Sequence, residues 1–271
     1  MSHLNPATRA FTGLAVGMAA LTGTLLTQAT SAQAVAVALP PTHASFDYQI
    51  GGAYTPPAGV KVVTRDHTAS PAAGLYNICY INAFQAQPGA EGEWASDLLL
   101  RDSNGNVVYD EDWGEALLDT GTAAKRQRIA DQIGTQIDGC RDKGFQAIEP
   151  DNYDSYTRSG NRLTANNAQA FIKLLSTRAH ADGLAIAQKN TPELAGNRTA
   201  NGFDFAVAEE CGQYDECGDY TSAFGNNVIV VEYTDTGRTK ACRGWSSTLS
   251  IVQRDLDVSP AGSSGYVRKT C

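Results

Sequence analysis

Histidine is scarce in this chain, with four in 271 residues, and beyond residue 34 only His43, His67 and His180 remain. None of these has the H-x-H or H-E-x-x-H spacing of a zinc site, so no metal is expected. The sequence also lacks a C-x-x-C pair, a G-x-S-x-G elbow, a P-loop and a G-x-G-x-x-G turn after a strand. Those absences argue against serine-hydrolase, nucleotide and dinucleotide chemistry, and no cofactor is implied. Basic residues are the minority, 21 Lys and Arg against 29 Asp and Glu, for a net charge of −8. Phosphate binding needs stripes of Lys and Arg, so neither nucleic acid nor an anionic membrane is expected as partner. An acidic surface suits a cationic or neutral substrate instead. No internal repeat or low-complexity tail is present.

At the N-terminus, Arg9 precedes an apolar Gly/Ala/Leu-rich run that ends near Leu26, followed by Ser31-Ala32-Gln33-Ala34. A positive start, a short apolar core and an A-x-A-type site describe a secretory signal peptide over residues 1–34. The run is too short and too interrupted by Gly and Thr for a membrane span. Removing 34 of 271 residues leaves 237, enough for a linker over 35–44 and one large domain over 45–271. That is close to the size of a (β/α)8 barrel. Export makes the even count of six cysteines meaningful. Cys211 and Cys217 enclose a short polar loop and read as a local clamp, and Cys242 with Cys271 would tie down the chain end. Cys79 and Cys140 read equally as a bridge or as buried thiols.

Short apolar segments alternate with amphipathic ones. Phe46–Ile50, Val60–Thr64 and Leu75–Ile81 read as strands, and 84–120 is irregular, an insertion after the third strand. Ile129, Ile133, Ile137 and Cys140 then recur on one helical face, with Gly144 as the stop. Phe145–Ile148 runs into Glu149-Pro150-Asp151-Asn152. Thr164 is a candidate N-cap for a helix lined by Ala168, Phe171, Leu174, Leu175 and Ala179. Strands over Leu184–Ala187, Phe203–Ala208 and Asn227–Val231 follow. A last helix is expected over Trp245–Leu256 and a weak eighth strand over Tyr266–Lys269. This pattern predicts parallel βα units, and the uniformly apolar strands predict a sheet buried on both faces. The fold class expected is α/β, a single (β/α)8 TIM-type barrel.

The strands end on Asp66, Asn82, Glu149 and Asp151, Lys189 and Asn190, Glu209 and Glu210, and Glu232. In a barrel these exits ring one mouth. Ionisable groups recurring there, on strands otherwise apolar, suggest paired-carboxylate chemistry. Cleaving a glycosidic bond needs one protonated acid for the leaving oxygen and one carboxylate as nucleophile or base. Neighbouring carboxylates push their pKa values apart, which creates those two roles.

Several runs in chain order carry a resemblance: Ile78–Ile81, Trp113–Asp119, Gly144–Asp154, Ala179–Leu184, Lys189-Asn190, Phe203–Val207 and Glu209–Cys217. The chain resembles glycoside hydrolase family 114, the endo-α-1,4-polygalactosaminidases, over nearly all of the part beyond the leader. The E-P-D-N and E-E-C-x-Q-Y-x-E-C blocks are the specific elements. The resemblance implies a (β/α)8 barrel and a secreted, extracellular endo-acting enzyme on α-1,4-linked, wholly or partly de-acetylated galactosamine polymers. It places the catalytic pair on Asp151 and Glu209. The chain departs from the family pattern at Ala208, often Asn, and at Gly212, often aromatic. Phe46 and Tyr48 stand where tryptophans are common, and 86–91 replaces an E-x-W-R segment.

A cationic sugar would suit neutralisation by Asp66, Glu149 and Asp154, although turn acids also serve solvation alone. Tyr80, Tyr153, Trp113 and Tyr214 could stack on sugar faces or simply pack. Lys189 could bind substrate or pair with Glu149 or Glu209. Asn152, Glu210 and Glu232 complete the expected substrate-binding set, and His180 is expected to be structural. A monomer is expected. Two rival readings are a sugar-binding barrel without catalysis and a Lys189 Schiff-base lyase or aldolase.

Overall fold

The computed structural model describes residues 37–271, so the leader expected over 1–34 lies outside the described residues. Its frame begins with β1 (Phe46–Gln49), β2 (Val62–Asp66) and β3 (Tyr76–Asn82). The insertion after β3 is not irregular throughout. It contains β4 (Gln85–Ala86), β5 (Tyr109–Asp110) and β6 (Glu115–Leu117), paired antiparallel in the order β4-β6-β5. Then α1 (Ala123–Lys143) leads to β7 (Ala147–Asp151), and α2 (Ala165–Ala181) to β8 (Ala185–Lys189). The short α3 (Arg198–Asn201) precedes β9 (Phe205–Glu209), and α4 (Cys217–Phe224) precedes β10 (Val228–Glu232). Last come α5 (Asp235–Trp245), β11 (Ser250–Arg254) and β12 (Arg268–Lys269).

The main sheet runs β1-β2-β3-β7-β8-β9-β10-β11-β12, parallel throughout except for β12. Eight parallel strands therefore curl into a TIM-type barrel, as expected. The seam lies between β11 and β1. There Ser250 Oγ accepts from the Ala44 N–H at 2.9 Å, and Arg268 of β12 donates to Asp47 Oδ1 and to the Phe46 carbonyl, each at 3.0 Å. Two details differ from expectation. The eighth strand is β11, inside the stretch expected to be helical, and the last helix is α5, which begins at Asp235. Among the described residues, loops rather than helices follow β1 and β2.

Side chains alternate across the sheet. Phe46, Tyr48, Val62, Ile78, Ala147, Ala185, Ala187, Phe205, Val207, Ile229, Val231 and Val252 fill the barrel. Their neighbours Cys79, Ile81, Ile148, Ile186, Ala206, Ala208 and Val230 face the helices. The helix ends are built by short-range chemistry. Thr122 caps α1 through its side chain, and Gly144 ends it in the left-handed region at φ 90°. Thr164 and Asn167 form a reciprocal capping box on α2. Three disulfides, Cys79–Cys140, Cys211–Cys217 and Cys242–Cys271, tie β3 to α1, clamp the loop after β9, and hold the C-terminus to α5. The open reading of Cys79 and Cys140 resolves as a bridge.

Candidate active site

The alternation that builds the core also selects the site. On β7, Ala147 faces the barrel interior, so Glu149 and Asp151 share that side. On β8 and β9 the same parity turns Lys189 and Glu209 inward, and on β3 it turns Tyr80 and Asn82 inward. Strands far apart in sequence thus converge on one nitrogen. Lys189 Nζ lies 3.2 Å from Glu149 Oε1, 3.3 Å from Asp151 Oδ1 and 3.3 Å from Glu209 Oε2. It also donates to the Tyr48 hydroxyl at 3.0 Å.

Asp151 and Glu209 are held in matching ways. One oxygen of each takes an amide N–H beside the lysine. Asp151 Oδ1 accepts the Asn152 backbone N–H at 2.7 Å, and Glu209 Oε2 accepts from Asn190 Nδ2 at 2.8 Å. The other oxygen of each takes a phenol: Tyr80 donates to Asp151 Oδ2 at 2.8 Å, and Tyr233 donates to Glu209 Oε1. Both carboxylates keep a partly exposed side chain, 17% for Asp151 and 19% for Glu209. Glu149 is sealed beneath them, accepting from Tyr48 at 2.7 Å.

Burial works against the charge on Lys189, but Asp151 and Glu209, then Tyr48 and Glu149, outweigh it and push its pKa well above the usual lysine range. The group is therefore a fixed ammonium. A free amine for a Schiff base is not present, which counts against the lyase reading. Burial pushes the Glu149 carboxyl up to about 7, against the pull of Lys189 and Tyr48. Burial first, then the charge of Asp151, raises Tyr80, and burial with Glu209 raises Tyr233. Both phenols stay protonated and serve as donors.

The backbone turns sharply after each of these strands. Asn152 (φ 66°), Asn190 (φ 49°), Thr191 (φ 66°) and Glu210 (φ 58°) all occupy the left-handed region. For Thr191 and Glu210 that conformation is strained, and it lets the chain leave the barrel directly after the inward-facing residue.

The remaining expected site residues divide. Asn152 Nδ2 donates to Asn82 Oδ1 at 3.0 Å and to Glu115 Oε2 at 3.2 Å, so it braces the mouth. Glu210 is half-buried beside Glu209, and burial and that charge both raise its carboxyl. Asp66 caps its own turn by accepting from the Thr68 N–H at 2.9 Å. Asp154 is paired with Arg158 at 2.8 Å. Trp113 and Tyr214 are exposed on loops, and Tyr153 is buried against Phe84 and Phe203.

Two expectations need correction. Glu149, expected to bind substrate, is wholly buried and reaches only Lys189 and Tyr48. Glu232 has the opposite parity. It lies outside the barrel wall, where Oε1 accepts the Gly212 N–H at 2.7 Å, and burial pushes its carboxyl up to about 7. Gly212 is required there, because a Cβ would meet the Gly237 carbonyl oxygen at 2.6 Å. His180 bonds Asp204 at 2.9 Å outside the barrel, as expected of a structural residue.

Sequence reasoning missed Tyr233 and Glu115 as parts of the site, and gave Tyr48 and the strand-exit Asn190 no role in it. Inward parity marks Tyr48 and Tyr233. Glu115 had no such signal, because it comes from the insertion.

Two half-buried acids over a shared ammonium at a barrel mouth fit the two-carboxylate chemistry of a glycosidase. The sequence profile of glycoside-hydrolase family GH114 matches residues 26–271, and the chain belongs to that family. Among solved structures, it is similar to Aspergillus fumigatus Ega3 in complex with galactosamine. The TM-score is 0.71 and the identity 23%, over 87% of this chain and 98% of that one. It is also similar to the glycoside hydrolase domain of PelA from Pseudomonas aeruginosa, with a TM-score of 0.53 and 16% identity, over 82% of this chain and 97% of that one. No curated protein matches the chain.

Proposed function

We propose that the protein is a secreted endo-acting hydrolase of α-1,4-linked, de-acetylated galactosamine polymers. Asp151 and Glu209 are the acting pair in this reading. The observation that carries it is the placement of these two partly exposed acids on one buried ammonium, with the third acid, Glu149, sealed below. One of the pair protonates the leaving glycosidic oxygen, and the other attacks the anomeric carbon or activates water. Lys189, Tyr80, Tyr233 and Asn190 fix the geometry of both.

Asp151 Oδ1 and Glu209 Oε2 each lie 3.3 Å from the same nitrogen, so they stand no further apart than twice that distance. Within that bound we assign the retaining arrangement, in which carboxyls about 5 Å apart form and then hydrolyse a glycosyl-enzyme ester. Glu115 and Glu210 add negative charge to the rim, which suits an ammonium-bearing sugar, the kind of ligand found in the Ega3 structure. The three disulfides and the leader pattern over 1–34 support an extracellular setting.

Two measurements test the reading. Polygalactosamine should lose viscosity before small oligomers accumulate, as endo cleavage requires, and proton NMR should show the α-anomer as first product. Release of monomer from the outset, or a first β-anomer, would contradict the endo or the retaining assignment respectively.

A further inference from the structure

The hairpin of the insertion places one more carboxylate at the mouth. Glu115, on β6, accepts from Asn152 Nδ2 at 3.2 Å, and Asn152 directly follows Asp151. Across β3 and β7, Asn82 is the register partner of Asp151. Asn82 is 7% exposed and faces inward; its Oδ1 accepts from Asn152, and its amide pulls on the Glu115 carboxyl. Glu115 is thus held by two amides, on the side of Asp151 away from Glu209.

Resting on the reading above, we propose that Glu115 is a specificity-determining residue, reading the protonated 2-amino group of a sugar unit bound beside the cleavage point. Burial, then the nearby Asp151 and Asp110 charges, push the Glu115 carboxyl up to about 6 against the pull of neighbouring amides. It is therefore still ionised at neutral pH. An ammonium supplies the counter-charge the site lacks, whereas an acetamido group supplies none and is larger.

The test compares kcat/KM on fully de-acetylated and fully N-acetylated α-1,4-galactosamine polymers for the wild type, Glu115→Gln and Glu115→Asp. Glutamine keeps an acceptor for Asn152, so a purely structural role survives that change, and only the charge is removed. The wild type should prefer the de-acetylated polymer. Glu115→Gln should cut that preference by about 10- to 100-fold, mostly by slowing the de-acetylated substrate, and Glu115→Asp should restore part of it. Equal losses on both polymers, or an unchanged ratio in Glu115→Gln, would overturn the assignment of Glu115 while leaving the hydrolase reading standing. A wild type that cleaves neither polymer would overturn both.

Discussion

Lys189 ties Glu149, Asp151 and Glu209 together, so its removal should be felt twice. Breaking a buried ion pair costs about 3–5 kcal/mol, and here three acids lose one partner. Lys189→Met is expected to unfold at lower urea by roughly that amount and to show no measurable hydrolysis. Glu149 and Glu232 make a separate prediction about pH. Both carboxyls are raised to about 7 by burial, whereas an unfolded glutamate titrates near ~4.3. The folded state therefore holds protons that the unfolded state has released, and stability is lost as pH rises from about 4.5 toward 7. For Glu149 the effect is on the order of 3 kcal/mol. The melting temperature should fall between pH 5 and 8, and Glu149→Gln should flatten that slope. A melting temperature rising over the same range would contradict this.

At the level of elements, the loop after β9 decides whether Glu209 is presented correctly. It leaves the strand through the left-handed Glu210, passes Gly212 against α5, and is clamped by Cys211–Cys217. Gly212→Ala would drive a methyl into the Gly237 carbonyl, costing about 1–3 kcal/mol. It should also lower kcat more than KM through displacement of Glu209, as measured by steady-state kinetics. The same region shows how legible the sequence is. Strand exits at Asp151, Lys189 and Glu209 could be read because each ends an apolar run. Glu232 was misread because one residue of offset places a side chain on the other face of the sheet. The last helix was misplaced because the buried face of α5 consists of Gly237 and Ala241, which give no apolar period. The apolar Leu249–Val252 run beside it belongs to β11. The insertion sheet escaped notice because its strands are only two or three residues long.

Across the whole molecule, the barrel has a seam, and the chain end seals it. β12 pairs with β11, Arg268 reaches Phe46 and Asp47 of β1, and Cys242–Cys271 fastens the terminus to α5. Opening that bridge by paired Cys→Ser substitution should cost about 3 kcal/mol, seen as a lower denaturation midpoint, with the kcat of the folded enzyme unchanged. Length, alternation and cysteine parity made the barrel and two of its three bridges readable, while Cys79–Cys140 stayed open. The closure at β11 and β1 was not, since no local pattern marks two strands that meet only at the ends of the fold. The central claim is that Asp151 and Glu209 act together on one sugar linkage. Its most direct test is the release of reducing ends from de-acetylated polygalactosamine by the wild type, Asp151→Asn and Glu209→Gln, each verified as folded. Cleavage by the wild type with losses of at least about 1,000-fold in both variants is the predicted result. Near-normal cleavage by either folded variant would contradict it.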